Sequence, residues 1–85
     1  YGLTETNGVG AGNIRENYRN KPASTGRAAP PLVELRIADG DGPVGAALPA
    51  GTVGEVCIRS VCNCRGYWNM PEATAAFVGD GWFRS

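Results

Sequence analysis

The sequence lacks several features by which common classes of protein are identified. It contains no histidine, and its eight basic residues are balanced by eight acidic ones. A chain without net charge has no electrostatic basis for binding nucleic acid or an anionic membrane. No apolar run reaches the roughly eighteen residues that a transmembrane helix needs, and no stretch resembles a signal peptide. These absences predict a cytoplasmic protein without a transmembrane segment or a nucleic-acid partner.

Cysteine is scarce as well, since the chain has only Cys57, Cys62 and Cys64. With no sign of an oxidising compartment, free thiols are favoured over disulfides. Cys62 and Cys64 are close enough to suggest a metal site, but the chain has no histidine and no second cysteine pair to complete four zinc ligands. On a strand their side chains would share one face, so packing is the preferred interpretation.

Turn-forming residues are abundant, because 13 glycines and six prolines stand among 85 residues. They favour short strands joined by many turns. Residues 32–37 and 53–59 alternate apolar with polar side chains, which predicts two half-buried strands. We expect these strands to pair antiparallel through turns at residues 39–51. The side chains expected on the core face are Val33, Leu35, Ile37, Val56 and Ile58, with Glu34, Arg36, Glu55 and Arg59 facing outward.

Several shorter signals complete the pattern. Residues 44–48 and 62–68 are interpreted as strands, and another strand is expected to begin at Trp82. Pro71 suits the first turn of a helix that continues to Phe77, and Glu72 is favourable at its N-terminal end. A further turn of helix is expected near residues 15–18. Five aromatic side chains near the C-terminus are expected to form a core cluster, namely Tyr67, Trp68, Phe77, Trp82 and Phe83.

The expected fold class is mainly β, and α+β overall. Short antiparallel strands would form part of a β-rich subdomain, with one short helix near the C-terminus. Residues 1–31 are interpreted as a loop and connector that carry the chemistry, and residues 32–85 as the β-rich segment. The chain begins without Met, inside a chemically dense motif, so we also expect it to be a segment of a longer protein.

That motif is the stretch Tyr1-Gly2-Leu3-Thr4-Glu5. An exposed Tyr1 provides a flat face for stacking a purine, and Gly2 lets a ligand approach the backbone. The Thr4 hydroxyl is suited to a phosphate oxygen. The Glu5 carboxylate is the kind of oxygen ligand that Mg²⁺ takes beside nucleotide phosphates. A polar turn at the end of a strand is the alternative interpretation of so short a motif.

Further motifs follow in order along the chain: Gly54-Glu55-Val56, then Gly66-Tyr67-Trp68-Asn69, then Pro71-Glu72-Ala73-Thr74, then Asp80-Gly81-Trp82. Together with the opening motif they resemble the acyl-CoA synthetase branch of the adenylate-forming, or AMP-binding, enzymes. The resemblance extends over nearly the whole chain. It implies that the chain is an internal segment of the large N-terminal domain of such an enzyme.

The resemblance implies a function for the parent protein. It would be an AMP-forming acid–thiol ligase that couples a carboxylic acid, expected to be a fatty acid, to ATP and passes the acyl group to coenzyme A. Tyr1 would stack on adenine, while the backbone of Gly2 and Leu3 would follow the junction of AMP and acyl group. Thr4 would bind the α-phosphate, and Glu5 would hold Mg²⁺. Because a stacking platform and a metal ligand must be reachable, we expect that Tyr1 and Glu5 are not both buried.

The phosphate loop, the ribose-binding carboxylate and the catalytic lysine of this family have no counterpart in the chain, so the isolated segment should be inactive. Two alternatives remain. One is the adenylation domain of a nonribosomal peptide synthetase, although Leu3 stands where those domains usually have proline. The other is a non-enzymatic β module that uses its aromatic side chains as an interaction surface.

Overall fold

The chain folds into a small four-stranded sheet with a two-stranded ribbon beside it. The structure, a computed structural model, describes residues 1–8, 10–40 and 44–85. The β1–β2 ribbon is followed by a sheet in the order β3-β4-β6-β5, and all the pairings are antiparallel. The elements are β1 (Ala11–Gly12), α1 (Arg15–Asn20), β2 (Arg27–Ala28), β3 (Val33–Ala38), β4 (Glu55–Ser60), α2 (Pro71–Phe77), β5 (Val78–Gly79) and β6 (Trp82–Arg84).

The edge strand β3 pairs with β4 over its whole length, which confirms the prediction from alternation. The register runs without a break from Val33 opposite Ser60 to Ala38 opposite Glu55. Glu34 lies opposite Arg59, and their side chains form an ion pair of 2.8 Å. Glu55 pairs instead with Arg84, at 3.0 Å.

The face of the sheet predicted to point outward is exposed at Glu34 and Arg59 but buried or half-buried elsewhere. Ala38, Cys57 and Trp82 form a buried cluster on the face that was expected to point outward. On the other face Val33, Ile58 and Phe83 are buried, but Ile37 remains 37% exposed. The cause is the third strand, since β6 pairs with β4 and places Trp82 and Phe83 on opposite faces.

Helix α2 has the predicted bounds, with Pro71 in its first turn and Glu72 beside it. A hairpin follows, in which Gly79 lies opposite Trp82 and the two loop residues, Asp80 and Gly81, both have positive φ. This geometry suits a two-residue hairpin loop, for which Asp-Gly is a preferred sequence. The predicted cluster of five aromatic side chains forms only in part: Phe77 contacts Tyr67 and Phe83, Trp82 is buried on the opposite face, and Trp68 is 95% exposed.

The N-terminal part contains the predicted short helix, α1, and the small β1–β2 ribbon. Gly26 has a φ of 96°, and a Cβ at this position would lie 2.0 Å from the Gly12 carbonyl oxygen. Only glycine therefore allows the ribbon to close at this point. Neither helix in the described part of the chain has the length and hydrophobicity required to cross a membrane.

Two predicted strands are absent from the described residues. Residues 44–48 form no strand. The Leu48 N–H donates a single backbone hydrogen bond of 2.8 Å to the Ile37 carbonyl, and no β-ladder continues from it. Residues 62–68 form a turn and loop, so Cys62 and Cys64 do not share a strand face. The Asn63 side-chain amide bonds the Ile58 carbonyl at 2.9 Å, which closes the turn in place of a ladder. Turns were expected at residues 39–51, and residues 41–43 of the first turn lie outside the described part. The second turn is closed by the Thr52 N–H, which donates to the Pro49 carbonyl at 3.1 Å.

Candidate functional site

The opening motif folds into a tight turn. Residues 1–3 have no regular structure, and Thr4–Thr6 form one turn of 3₁₀ helix. The fully buried Thr6 holds this turn together, because its hydroxyl accepts from the Leu3 N–H at 3.2 Å and donates to the Leu3 carbonyl at 3.0 Å. Asn7 ends the turn in the left-handed conformation, with φ 51°. The predicted loop is therefore a well-defined turn.

The exposure of the motif agrees with a role in binding. Tyr1 is 46% exposed, Gly2 and Thr4 are also exposed, and Glu5 is half-buried. The expectation that Tyr1 and Glu5 are not both enclosed is confirmed. The backbone of Tyr1 is nevertheless fixed, since its carbonyl accepts from the N–H groups of Gly10 and Ala11 at 3.0 and 2.9 Å.

Beside Tyr1 lies an apolar groove of about 320 Å³ between the β1–β2 ribbon and the sheet. The groove is lined by Tyr1, Ala11, Thr25, Gly26, Leu35, Arg36, Ile37 and Val56. The groove explains why Ile37 remains partly exposed. A flat apolar ligand fits such a surface, because aromatic rings stack or meet edge to face.

Glu5 makes a contact that the sequence did not predict. The Tyr67 hydroxyl donates a hydrogen bond of 2.8 Å to Oε1 of Glu5, 62 residues away in the sequence. The N–H of Cys64 donates to the Glu5 carbonyl at 2.7 Å. The Asn7 side-chain amide donates to the Cys62 carbonyl at 2.8 Å. The loop at residues 62–67 thus lies directly against the turn.

The Tyr67 bond favours the anionic form of Glu5. Accepting this hydrogen bond lowers the pKa of the Glu5 carboxyl below its usual value, because the bond favours the anion. The same bond raises the pKa of the Tyr67 phenol. At neutral pH the pair is therefore a carboxylate and a neutral hydroxyl donor.

The carboxylate fits a magnesium site in which the nucleotide supplies most of the ligands. Within the described residues, no three His, Cys, Asp or Glu side chains are grouped as metal ligands. Mg²⁺ usually takes one or two carboxylates together with phosphates and water. Glu5 is ionised, and Tyr67 uses only one of the roughly four lone-pair sites of a carboxylate. Cys62 and Cys64 are free thiols.

Thr4 and Glu5 therefore lie side by side in the turn, and Tyr1 lines the groove. Leu3 is half-buried, and its carbonyl is used inside the turn, accepting from Thr6 and Gly8 at 3.2 and 2.9 Å. Gly2 keeps an exposed backbone. The arrangement presents an aromatic face, a hydroxyl and an anionic carboxylate on five consecutive residues.

Known proteins share both the sequence and the shape of this chain. Over 85 residues it is 39% identical to indoleacetate–CoA ligase of Aromatoleum aromaticum, a match that covers 100% of this chain and 16% of that protein. The N-terminal domain of FACL13 from Mycobacterium tuberculosis matches with a TM-score of 0.83 at 35% identity, over 100% of this chain and 20% of that one. The amide bond synthetase McbA from Marinactinospora thermotolerans matches with a TM-score of 0.64 at 42% identity, over 78% of this chain and 13% of that one.

A family model described as "AMP-binding enzyme" matches residues 1–68, which include the opening turn, strands β3 and β4, and the loop that contacts Glu5. The matched part thus contains every residue that forms the candidate site. This chain belongs to the AMP-binding enzyme family.

Proposed function

We propose that the protein carrying this chain is an AMP-forming acid–thiol ligase. It activates a carboxylic acid with ATP to give an acyl-adenylate and pyrophosphate, and then transfers the acyl group to the thiol of coenzyme A. The observation that supports this proposal best is the turn at Thr4–Thr6, which leaves Thr4 exposed and the Glu5 carboxylate reachable in a chain related over its whole length to a CoA ligase. The chain spans 16% of that relative, so the proposal concerns the longer protein.

In this proposal the residues of the turn bind the nucleotide. Tyr1 stacks on the adenine at the mouth of the apolar groove, and Gly2 and Leu3 lie along the junction of AMP and acyl group. Thr4 donates its hydroxyl to the α-phosphate. Glu5 holds Mg²⁺, which supplies positive charge for the phosphates as the transition state forms. The buried Thr6 fixes the shape of the turn through its two hydrogen bonds to Leu3.

The chemistry needs no covalent bond to the residues described. A carboxylate oxygen of the substrate attacks the α-phosphorus of ATP, the bond to the β-phosphate oxygen breaks, and pyrophosphate leaves. The thiolate of coenzyme A then attacks the acyl carbon, and AMP leaves with the electrons of the broken C–O bond. The contribution of the turn is positioning and electrostatic stabilisation.

A fatty acid is the proposed substrate class, and the cytoplasm the proposed location. The motifs Tyr67-Trp68-Asn69 and Asp80-Gly81-Trp82 resemble those of fatty-acid and aryl ligases. They therefore support such a ligase over an amino-acid-activating domain. Leu3 supports the same choice. The relative named indoleacetate–CoA ligase makes an aryl acid the next class to test.

The test is acid-dependent pyrophosphate release by the full-length protein, with Mg²⁺·ATP and a panel of fatty, aryl and amino acids. We expect release with at least one fatty or aryl acid, and acyl-CoA formation when coenzyme A is added. Release with amino acids alone would favour the peptide-synthetase alternative. No release with any acid would contradict the proposal.

The acceptor of the second step needs its own control, because one solved neighbour is an amide bond synthetase with 42% identity. Supplying an amine in place of coenzyme A tests that alternative. We expect thioester formation to be faster than amide formation.

A further inference from the structure

The contact between Glu5 and Tyr67 joins two motifs from opposite ends of the chain. The phenol hydroxyl donates to the carboxylate at 2.8 Å. It is accompanied by the backbone bond from Cys64 to Glu5 and by the side-chain bond from Asn7 to Cys62. Three hydrogen bonds therefore join the turn at Thr4–Thr6 to the loop at residues 62–67.

Tyr67 is itself held firmly from the other side. Its N–H donates to the hydroxyl of Thr74 on α2 at 2.9 Å. Its ring meets Phe77 edge to face, with 6.1 Å between the ring centroids, and Phe77 stacks on the buried Phe83 at 6.3 Å. The phenol is thus anchored to α2 and, through the aromatic rings, to strand β6 of the sheet.

From this geometry we propose that Tyr67 is a positioning residue for the Glu5 carboxylate. Its hydroxyl fixes the orientation in which the carboxylate binds Mg²⁺, and this inference rests on the function proposed above. A glutamate side chain has three torsions, and its carboxylate needs an outer partner if it is to be preorganised as a ligand. A single hydroxyl on a rigid ring serves this purpose and leaves the other lone pairs of the carboxylate for the metal.

The hydroxyl of Tyr67 positions the Glu5 carboxylate, whereas its ring contributes packing. The ring packs against Phe77 whether or not it carries the oxygen. Tyr67→Phe therefore removes the positioning bond and keeps the packing. Tyr18→Phe is the matched control, since Tyr18 lies on α1, is 56% exposed, and loses the same atom away from the site.

The experiment measures the affinity of the full-length protein for ATP by calorimetry over a range of Mg²⁺ concentrations. We expect Tyr67→Phe to weaken the Mg²⁺-dependent part of ATP binding by about tenfold or more, as outer partners of metal ligands do. Binding without the metal should stay within about twofold, and so should every value for Tyr18→Phe. Wild-type affinity in Tyr67→Phe overturns the positioning role.

A double-mutant cycle distinguishes action through Glu5 from general damage. If Tyr67 acts through this carboxylate, Tyr67→Phe should change Mg²⁺-dependent binding by less than about twofold in a Glu5→Gln background. Equal effects of Tyr67→Phe with and without Glu5 overturn the proposal. The melting temperatures of all variants, measured without nucleotide, report any loss of folding.

The two proposals fail in different ways. A wild-type protein that binds Mg²⁺·ATP but releases no pyrophosphate contradicts the ligase function, while the titration still decides the role of Tyr67. Wild-type binding that does not depend on the metal overturns the Tyr67 assignment. If Tyr67→Phe does not fold, a crystal structure of the wild type with Mg²⁺·ATP decides. A metal-bound Glu5 within hydrogen-bond distance of the Tyr67 hydroxyl supports the proposal, and a carboxylate turned away from it overturns it.

Discussion

Cys57 shows how burial controls the chemistry of one residue. Its side chain is fully buried between Ala38 and Trp82, and burial raises the pKa of its thiol, with the nearby Glu55 carboxylate adding to the effect. Because the thiolate is the reactive form, both the enclosure and the raised pKa protect this cysteine.

We therefore predict that Cys57 resists alkylation in the native full-length protein. Iodoacetamide treatment at mildly alkaline pH, followed by peptide mass spectrometry, should leave Cys57 unmodified and should modify it fully after denaturation. Native labelling at the denatured rate would contradict the burial described here.

Gly66 is a residue at which the backbone permits only glycine. Its φ is 147°, and a Cβ here would lie 2.3 Å from Cγ2 of Thr74 and 2.7 Å from its hydroxyl oxygen. This hydroxyl accepts the N–H of Tyr67, so the glycine allows α2 to approach the loop that contacts Glu5.

We expect Gly66→Ala to destabilise the protein by about 1–3 kcal/mol, because strain and a clash act together. Gly79→Ala is the matched control, since a Cβ at that position meets nothing within 4 Å. Denaturant unfolding of both variants makes the comparison. Equal stabilities would contradict both the backbone strain and the clash with Thr74.

At the scale of elements, the two ion pairs of the sheet differ in burial and should differ in energy. The side chains of Glu34 and Arg59 are 54% and 48% exposed, whereas those of Glu55 and Arg84 are 24% and 11% exposed. Water and salt screen the first pair far more than the second.

Double-mutant cycles with glutamine at each position should give a coupling of about 0.2–1 kcal/mol for Glu34 with Arg59. The more buried Glu55–Arg84 pair should give about 1.5–3 kcal/mol, as for hydrogen bonds to charged groups. The first value should fall in 1 M salt and the second should change little. A larger coupling for the exposed pair would contradict this ranking.

Sequence patterns predicted the elements that depend mainly on residues close together in the chain. Alternation identified β3 and β4 and their pairing, and Pro71 with Glu72 marked the start of α2. The same rules failed at residues 62–68, where the backbone bonds to the turn at Thr4–Thr6 instead of a strand. That choice depends on contacts between distant segments, which period-2 patterns do not report.

The faces of the sheet were misjudged for a similar reason. Alternation in β3 and β4 assigns one face to the core, but the position of β6 decides that Trp82 covers the other. For the candidate site, the composition of the opening motif predicted its exposed residues. The Tyr67 contact with Glu5 came only from the fold, because nothing in the sequence relates two positions 62 residues apart.

At the scale of the whole molecule, the chain combines a rigid support with a reachable turn. The sheet and α2 hold Tyr67, Tyr67 holds Glu5, and Thr6 holds the turn. The family assignment links this arrangement to nucleotide binding, since the matching family model is described as an AMP-binding enzyme. We predict that Glu5 serves adenylation and contributes little to the fold.

Adenylate formation by full-length Glu5→Gln, measured as a function of Mg²⁺ concentration, decides whether Glu5 acts in catalysis or in folding. Glutamine keeps the shape and still accepts the Tyr67 hydroxyl, but it removes the charge. Glu16→Gln, an exposed change on α1, is the matched control. We predict adenylation slowed by about two to three powers of ten, as when one transition-state contact is lost. The melting temperature without nucleotide should shift by less than about 2 °C. Normal adenylation together with a lowered melting temperature would contradict the account and make Glu5 a structural residue.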